Sequence, residues 1–531
     1  MKTVSILISG IVAGLGLVSG SACAFQPAPS PWKPGDPVHA GDIVIESPGD
    51  ERPPFEFSDS DQRFLDEIQY AAFRFFVEAV HPDTGLVCDR TSNPTLVSVA
   101  GVGFQLSAIP IGIERGWISR DAGEALALRV VRALSEEPSN RVHGLFFHFL
   151  DSRTAKPHPD AYEHVVSTID SAILFAGLLT ASEYFGGEIA RLGDAMVEQA
   201  DWQFFVAPED EHPAYRGYVS LGWRSADKAN PTAGGQLLDY YWSDATDEQR
   251  LVTFLGQTSA DPNHRLPPEA YYQLRRRLGT YDDLGLMVFS PYSGALFTSF
   301  FSHCWIGYAN LQPDDPSAFG FDQRARVDWW ENSRRHVNLH RTKALENPLG
   351  LKTPGEHAWG LSASDGDGAY LVSMLYPDAV EMVGARADWD IQPPDHGWND
   401  QWHSGLLAPY AAGSAIVFEP EASIAALRHY RELRSQDGGP LIWRQPPGTP
   451  AEPAPYGTGR YDGDYGFLDS YTLDTEGGEP WVAHDYVAID QGPLLLSIEN
   501  ARTGGVWDRF MGHPLVERAV DRLRWERVRE P

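Results

Sequence analysis

Three carboxylic acids stand in or beside apolar runs of this sequence, where a charge is out of place. Asp170 interrupts the run from Ile169 to Leu179. Glu248 follows the aromatic string Asp239-Tyr240-Tyr241-Trp242 and opens a segment carrying Leu251, Phe254 and Leu255. Asp490 sits in Ile489-Asp-Gln-Gly-Pro493, ahead of another apolar stretch. A carboxyl group in apolar surroundings needs polar partners or has its pKa raised. A carboxyl held protonated can donate a proton at neutral pH, and an ionised one can take a proton from water. Glycoside hydrolysis uses that pair on either side of the scissile bond. These three residues are therefore the expected acid, base and orienting group.

Other residues could bind a sugar. Asp89-Arg90 reads as a charge pair at a rim, with Arg90 donating to hydroxyls or holding an acid in place. Asp469 and Glu499 are second-rank carboxylates, Gln491 follows Asp490 as a further polar group, and His148 lies between Phe147 and Phe149. Trp305, Trp359 and Tyr465 are the expected stacking surfaces, drawn from a chain with 16 Trp and 21 Tyr. The competing reading of each aromatic is core packing, and of each acid a structural bond or a favoured place at a helix start.

The usual signatures of other chemistries are missing. There is no H-E-x-x-H, G-x-S-x-G, G-K-[ST] or G-x-G-x-x-G. Asp462 and Asp464 in YDGDYG lack the remaining ligands of a calcium loop. No His pair has metal-ligand spacing, so neither metal nor cofactor is expected. The formal charge of −31 excludes nucleic-acid backbone binding as a main function and suits a neutral substrate.

The elements that must position these groups read as helices. Ser58 is a plausible N-cap for a helix whose apolar face is Phe64, Leu65, Ile68, Ala72, Phe75 and Phe76. Ser119 caps a second, with Leu126, Val130, Val131 and Leu134 inward. A third begins near Ser167. Further helices are expected near 190–205, 247–256, 268–278, 328–345, 421–435 and 514–525, with short β pieces around Leu145–Phe149, Trp443 and Leu494–Ile498. Long loops rich in aromatics, Gly, Asp and His separate them. The fold expected is all-α, an (α/α)6 toroid with long loops and minor β pieces.

Ahead of this domain, residues 1–24 read as a secretory signal: Lys2, an apolar stretch from Val4 to Val18, then Ala22-Cys23-Ala24. Residues 25–57 are Pro- and Gly-rich and read as a linker or strap, leaving 58–531 as the catalytic domain. No later stretch reaches about 18 apolar residues, so no membrane span is expected. The location expected is periplasmic or secreted. An oxidising compartment would permit, without requiring, a Cys88–Cys304 disulfide.

Ordered segments give a family resemblance. They are FLDEIQYAAFRFF, HPDTGLVCDR, GFQLSAIPIGIERGWISR, HGLFFHFLD, STIDSAILFAGLLTASEYF, SHCWIGY, ENSRRH, WGLSASDGDGAY, YGFLDSY and IDQGPLLLSIENARTGGVW. The chain resembles the glucoamylase-like domain of glycoside hydrolase family 144, the bacterial β-1,2-glucanases, which also occurs in cyclic β-1,2-glucan synthases. The resemblance implies an (α/α)6 barrel, no metal cofactor, and acidic residues acting on β-1,2-glucosidic bonds, with inversion favoured. It also places Glu248 at an acidic helix-start position. Two positions depart from the family pattern: Val165-Val166 stand where relatives carry a Glu, and Ser404-Gly405 where they carry Asp-Gly. The expected function is a hydrolase of β-1,2-glucan or sophoro-oligosaccharides. Its rivals are another glycan-active enzyme on this scaffold, a uronate lyase included, and a non-catalytic glycan binder.

Overall fold

The computed structural model describes residues 40–47, 55–161, 164–208, 215–290, 292–375, 379–383, 400–402 and 404–528. The signal segment 1–24 and most of the strap 25–57 lie outside the described residues.

Thirteen α-helices run through the described residues. They are α1 Asp59–Glu78, α2 Val99–Glu114, α3 Arg120–Glu136, α4 Thr168–Phe185, α5 Gly187–Glu198, α6 Asp247–Leu255, α7 Glu269–Tyr272, α8 Trp329–Glu346, α9 Pro409–Ser414, α10 Pro420–Glu432, α11 Ala488–Thr503, α12 Gly505–Gly512 and α13 Pro514–Leu523. The fold is helix-rich, with two- and three-stranded β pieces between the helices. Among the described residues, no helix is long and apolar enough to cross a membrane.

Local chemistry starts the helices where the sequence indicates. Ser58, Ser119 and Ser167 each accept a hydrogen bond from a backbone N–H in the first turn of α1, α3 and α4, satisfying donors that a helix start leaves open. The apolar faces expected for α1 and α3 are buried.

Two kinds of helix result. α3 and α10 are amphipathic and bury one face, while α1 is exposed only in its first turns and buried throughout from Ile68 to Glu78. α2, α4 and α11 are buried almost along their whole length. α2 and α4 cross at Gly103 and Gly177, where a Cβ on Gly177 would stand 2.0 Å from the Gly103 carbonyl oxygen. Only a residue without Cβ permits that approach.

Two expected elements differ. Leu494–Ile498 is not a strand but the middle of α11. A helix buried on every side has no amphipathic period to read, and Pro493 inside it adds a false break. The helix expected over 268–278 shrinks to α7, followed by a strand at Leu278–Thr280. There Arg275 bonds Ser243 and Arg276 bonds Asp314.

The described end of the strap is tied down. Val44–Ile45 pairs in parallel with Arg326–Val327, and Ser47 donates to Glu331 near the start of α8. Cys88 and Cys304 are both buried free thiols.

Candidate active site

A path of hydrogen bonds, mostly backbone, links the helix starts. The Ala488 N–H at the start of α11 donates to the Asp89 carbonyl, and the Asp89 N–H to Leu96. Val99, opening α2, donates to His148, whose own N–H donates to Val165 in the strand before α4. Thr168, opening α4, donates to Leu221, which in turn bonds Tyr240. The Trp242 indole N–H then reaches the Thr168 hydroxyl at 2.8 Å, just ahead of α6. The first turns of α4, α6 and α11 therefore open at the same end of the molecule. Those turns carry Asp170, Glu248 and Asp490.

Asp170 and Glu248 form one group. Asp170 is buried, with its Oδ1 3.5 Å from His148 Nε2; the His148 ring stacks on Phe149 at 3.7 Å. Glu248 keeps intermediate exposure. Desolvation, and second the charge of Asp170, push its carboxyl up to about 8. Glu248 is a carboxylic acid that keeps its proton at neutral pH.

Asp490 forms a second group. Its two oxygens lie 3.1 and 3.0 Å from the Tyr370 hydroxyl, which donates to them. Desolvation raises Asp490 to about 7, against the opposing hydrogen bonds from Asp469, Tyr410 and Tyr370. Asp469, fully buried, is pushed well above the carboxylate range by desolvation and by the charges of Asp490 and Asp365. The interaction between the two carboxyls raises Asp469 and favours the ionised form of Asp490. The Asp365 N–H donates to Asp469 Oδ2 at 2.6 Å, and Arg90 Nη1 donates to Asp365 Oδ1 at 2.7 Å. Buried carboxyls in this number are tolerated because protons and a guanidinium are shared among them.

Residues 239–444 and 458–514 match the Glycoamylase family model, described as putative glucoamylase. Those two stretches, close to half of the chain, are similar to a glucoamylase-like domain. Over 499 residues, 88% of this chain, it is 25% identical to an exo β-1,2-glucooligosaccharide sophorohydrolase (non-reducing end) of Parabacteroides distasonis, and it spans 58% of that relative's length. A crystal structure of a putative glucoamylase from Bacteroides uniformis superposes with a TM-score of 0.67 at 27% identity, covering 89% of this chain and 99% of that one. An endo-β-1,2-glucanase from Chitinophaga pinensis, in complex with sophorotriose and glucose, gives 0.66 at 23% identity over 89% and 99% of the two chains.

The matched stretches contain Glu248, Asp365, Tyr370, Tyr410, Asp469 and Asp490. Arg90, His148 and Asp170 come from the chain ahead of it. Asp89 and Arg90 are buried beside the Asp490 group, with Arg90 Nε 3.1 Å from Asp89 Oδ2.

Several expected binding residues are placed elsewhere. Trp305 is fully buried; its ring packs on Phe104 at 4.9 Å and its N–H bonds Ser107. Trp359 and Tyr465 are likewise in the core, and the Tyr465 hydroxyl donates to the Arg460 carbonyl at 2.6 Å. None of these rings has a face free for a sugar. Gln491 is buried and bonds the Phe467 carbonyl at 3.0 Å. Glu499 sits nine residues after Asp490 on α11, about 13 Å along the axis, and is held ionised by Arg115 at 2.7 Å. It lies in the last turns of α11, away from Asp490.

The sequence reading left Tyr370 and Tyr410 out and did not rank Asp365. Asp365 stood in the WGLSASD segment beside aromatics, which was a usable signal. The two tyrosines had none, because their role depends on distant chain segments meeting Asp490. Val165 and Val166 are buried in a strand paired with Trp223 and Arg224, so an acid at either place would be enclosed.

Proposed function

We propose that this chain is a glycoside hydrolase acting on β-1,2-glucan or sophoro-oligosaccharides, built on an (α/α)6 arrangement in which the buried helices form the inner ring. The observation that carries the reading is that two unlike carboxyls stand in the first turns of helices whose starts are joined by one path of hydrogen bonds. Glu248 is held protonated near neutral pH, while Asp490 titrates to its ionised form near 7. The first suits a proton donor to the leaving oxygen and the second a base for water. Asp170 and His148 orient and tune Glu248, and Asp469, Tyr370 and Tyr410 orient Asp490. The sophorohydrolase and β-1,2-glucanase relatives support the substrate class. Water-activating catalysis implies inversion of the anomeric carbon.

In this reading the substrate is a neutral glucan, the signal segment 1–24 sends the protein to the periplasm or medium, and 58–531 is the catalytic domain. The test is incubation of purified protein with a panel of glucans, β-1,2-glucan and sophoro-oligosaccharides included, with products separated by chromatography. Release of sophorose or short β-1,2 oligosaccharides is expected. No release from any β-1,2 substrate, with release from another linkage, would overturn the substrate. Products carrying a new double bond, seen by ultraviolet absorbance, would overturn hydrolysis itself.

A further inference from the structure

The cation nearest the Asp490 group is Arg90, and its surroundings are unusual for a buried arginine. It faces Asp89 at 3.1 Å, Asp365 at 2.7 Å and Asp485 at 3.9 Å. Its guanidinium carbon lies 6.0 Å from the centre of the Tyr370 ring. The loop that carries it is anchored twice: Arg90 pairs with Val487 in a β-bridge, and Asp485 accepts from the Thr91 hydroxyl and the Ser92 N–H at 2.8 and 2.7 Å. The same loop supplies the Asp89 carbonyl that receives the first N–H of α11.

We propose that Arg90 is a positioning residue of the candidate site: it grips Asp365 and lies over Tyr370, the two groups that in turn hold Asp469 and Asp490. This role rests on the hydrolase reading above. It adds that the proton state of the Asp469–Asp490 pair is set by a residue from outside the matched stretches. The groups facing the pair are Asp365 from one strand, Tyr370 from the next, Tyr410 from the start of α9, and Arg90 with Asp89 and Asp485 behind Asp365. Asp365 is raised by desolvation and brought down by Arg90. Removing the guanidinium leaves several carboxyls without their cation, and one of them must take up a further proton.

Two substitutions therefore move the pH profile in opposite directions. In Arg90→Met, loss of the cation shifts the Asp490 limb of kcat/KM upward. In Asp365→Asn, loss of a negative neighbour shifts that limb downward. A limb unmoved in both variants, each showing a cooperative melt, overturns the proposal. If Arg90→Met does not fold, Arg90→Lys carries the test, since it keeps the charge and loses the planar fork. Its kcat should fall about tenfold or more with KM unchanged, and wild-type kcat there overturns the role. Asp490→Asn run in parallel separates the two failures. Full activity in that variant overturns the site itself, whereas an inactive Asp490→Asn with unmoved limbs in the other variants overturns Arg90 alone.

Discussion

The Tyr370 hydroxyl bridges both oxygens of Asp490, at 3.1 and 3.0 Å. The tyrosine comes from the strand Ala369–Met374 and the aspartate from the first turn of α11. A donor aimed at a carboxylate favours its ionised form, so Tyr370 opposes the burial that raises Asp490. Tyr370→Phe should therefore move the Asp490 limb of the rate profile above its value of about 7. Activity should fall at pH 6 much more than at pH 8. Equal losses at both pH values would count against this pairing.

The two carboxyl groups predict a narrow bell in kcat/KM. Below about 7 Asp490 becomes protonated and cannot accept a proton from water. Above about 8 Glu248 becomes ionised and cannot donate one. The optimum should lie between the two, measured on a soluble β-1,2 oligosaccharide. Asp490→Asn should lower kcat about 10²- to 10⁴-fold. A profile flat from pH 5 to pH 10 would contradict the assignment of both groups.

Asp170 acts on Glu248 through its charge. Asp170→Asn removes the like charge that helps to raise Glu248, so the alkaline limb should move below about 8. Desolvation is the larger cause and stays, so the limb should remain above the ordinary Glu range near 4.3. Kinetics above pH 7 on this variant check the shift, and an alkaline limb left in place would show that the two acids do not communicate.

Glu248 also carries a stability cost that its substitution should relieve. Its folded pKa of about 8 exceeds the unfolded value of about 4.3. Between those values the unfolded chain has released the proton that the folded chain keeps, so stability falls as pH rises through that window. Below about pH 4 both states are protonated and the penalty is absent. Glu248→Gln removes the titration. Allowing for solvent at this partly exposed carboxyl, the gain at pH 8 is about 1 kcal/mol, or roughly 2 °C in Tm, with no gain at pH 4. The same variant should lose about 10²- to 10⁴-fold in kcat. Equal Tm differences at pH 4 and pH 8 would refute the buried-acid reading.

Legibility of the sequence followed the physics of each residue. Ser58, Ser119 and Ser167 were readable because an N-cap is a local event, and α3 because its burial is one-sided. Asp170, Glu248 and Asp490 were readable because a carboxyl in an apolar run has few benign explanations. α11 was misread at Leu494–Ile498 because all-round burial erases periodicity. Tyr370 and Tyr410 were invisible because hydroxyls from separate segments become partners of Asp490 only in the fold. The aromatics failed for a related reason: a sequence does not say whether an indole face meets a sugar or a neighbouring phenyl ring.

Trp305 gives the cleanest test of that last distinction. Its ring lies against Phe104, its N–H donates to the Ser107 hydroxyl at 2.9 Å, and nothing of it reaches solvent. A sugar-stacking tryptophan replaced by alanine raises KM and leaves the fold nearly untouched. A core tryptophan replaced by alanine leaves a cavity and costs about 3–5 kcal/mol. Trp305→Ala should therefore lower the urea midpoint markedly while KM for β-1,2 oligosaccharides stays at the wild-type value in the folded protein. Trp305→Phe keeps most of the packing but leaves the Ser107 hydroxyl without its donor, a loss of about 1 kcal/mol added to a smaller cavity. Its midpoint should fall between those of the wild type and the alanine variant. A KM raised tenfold in Trp305→Phe with an unchanged midpoint would return Trp305 to the binding surface and remove it from the core.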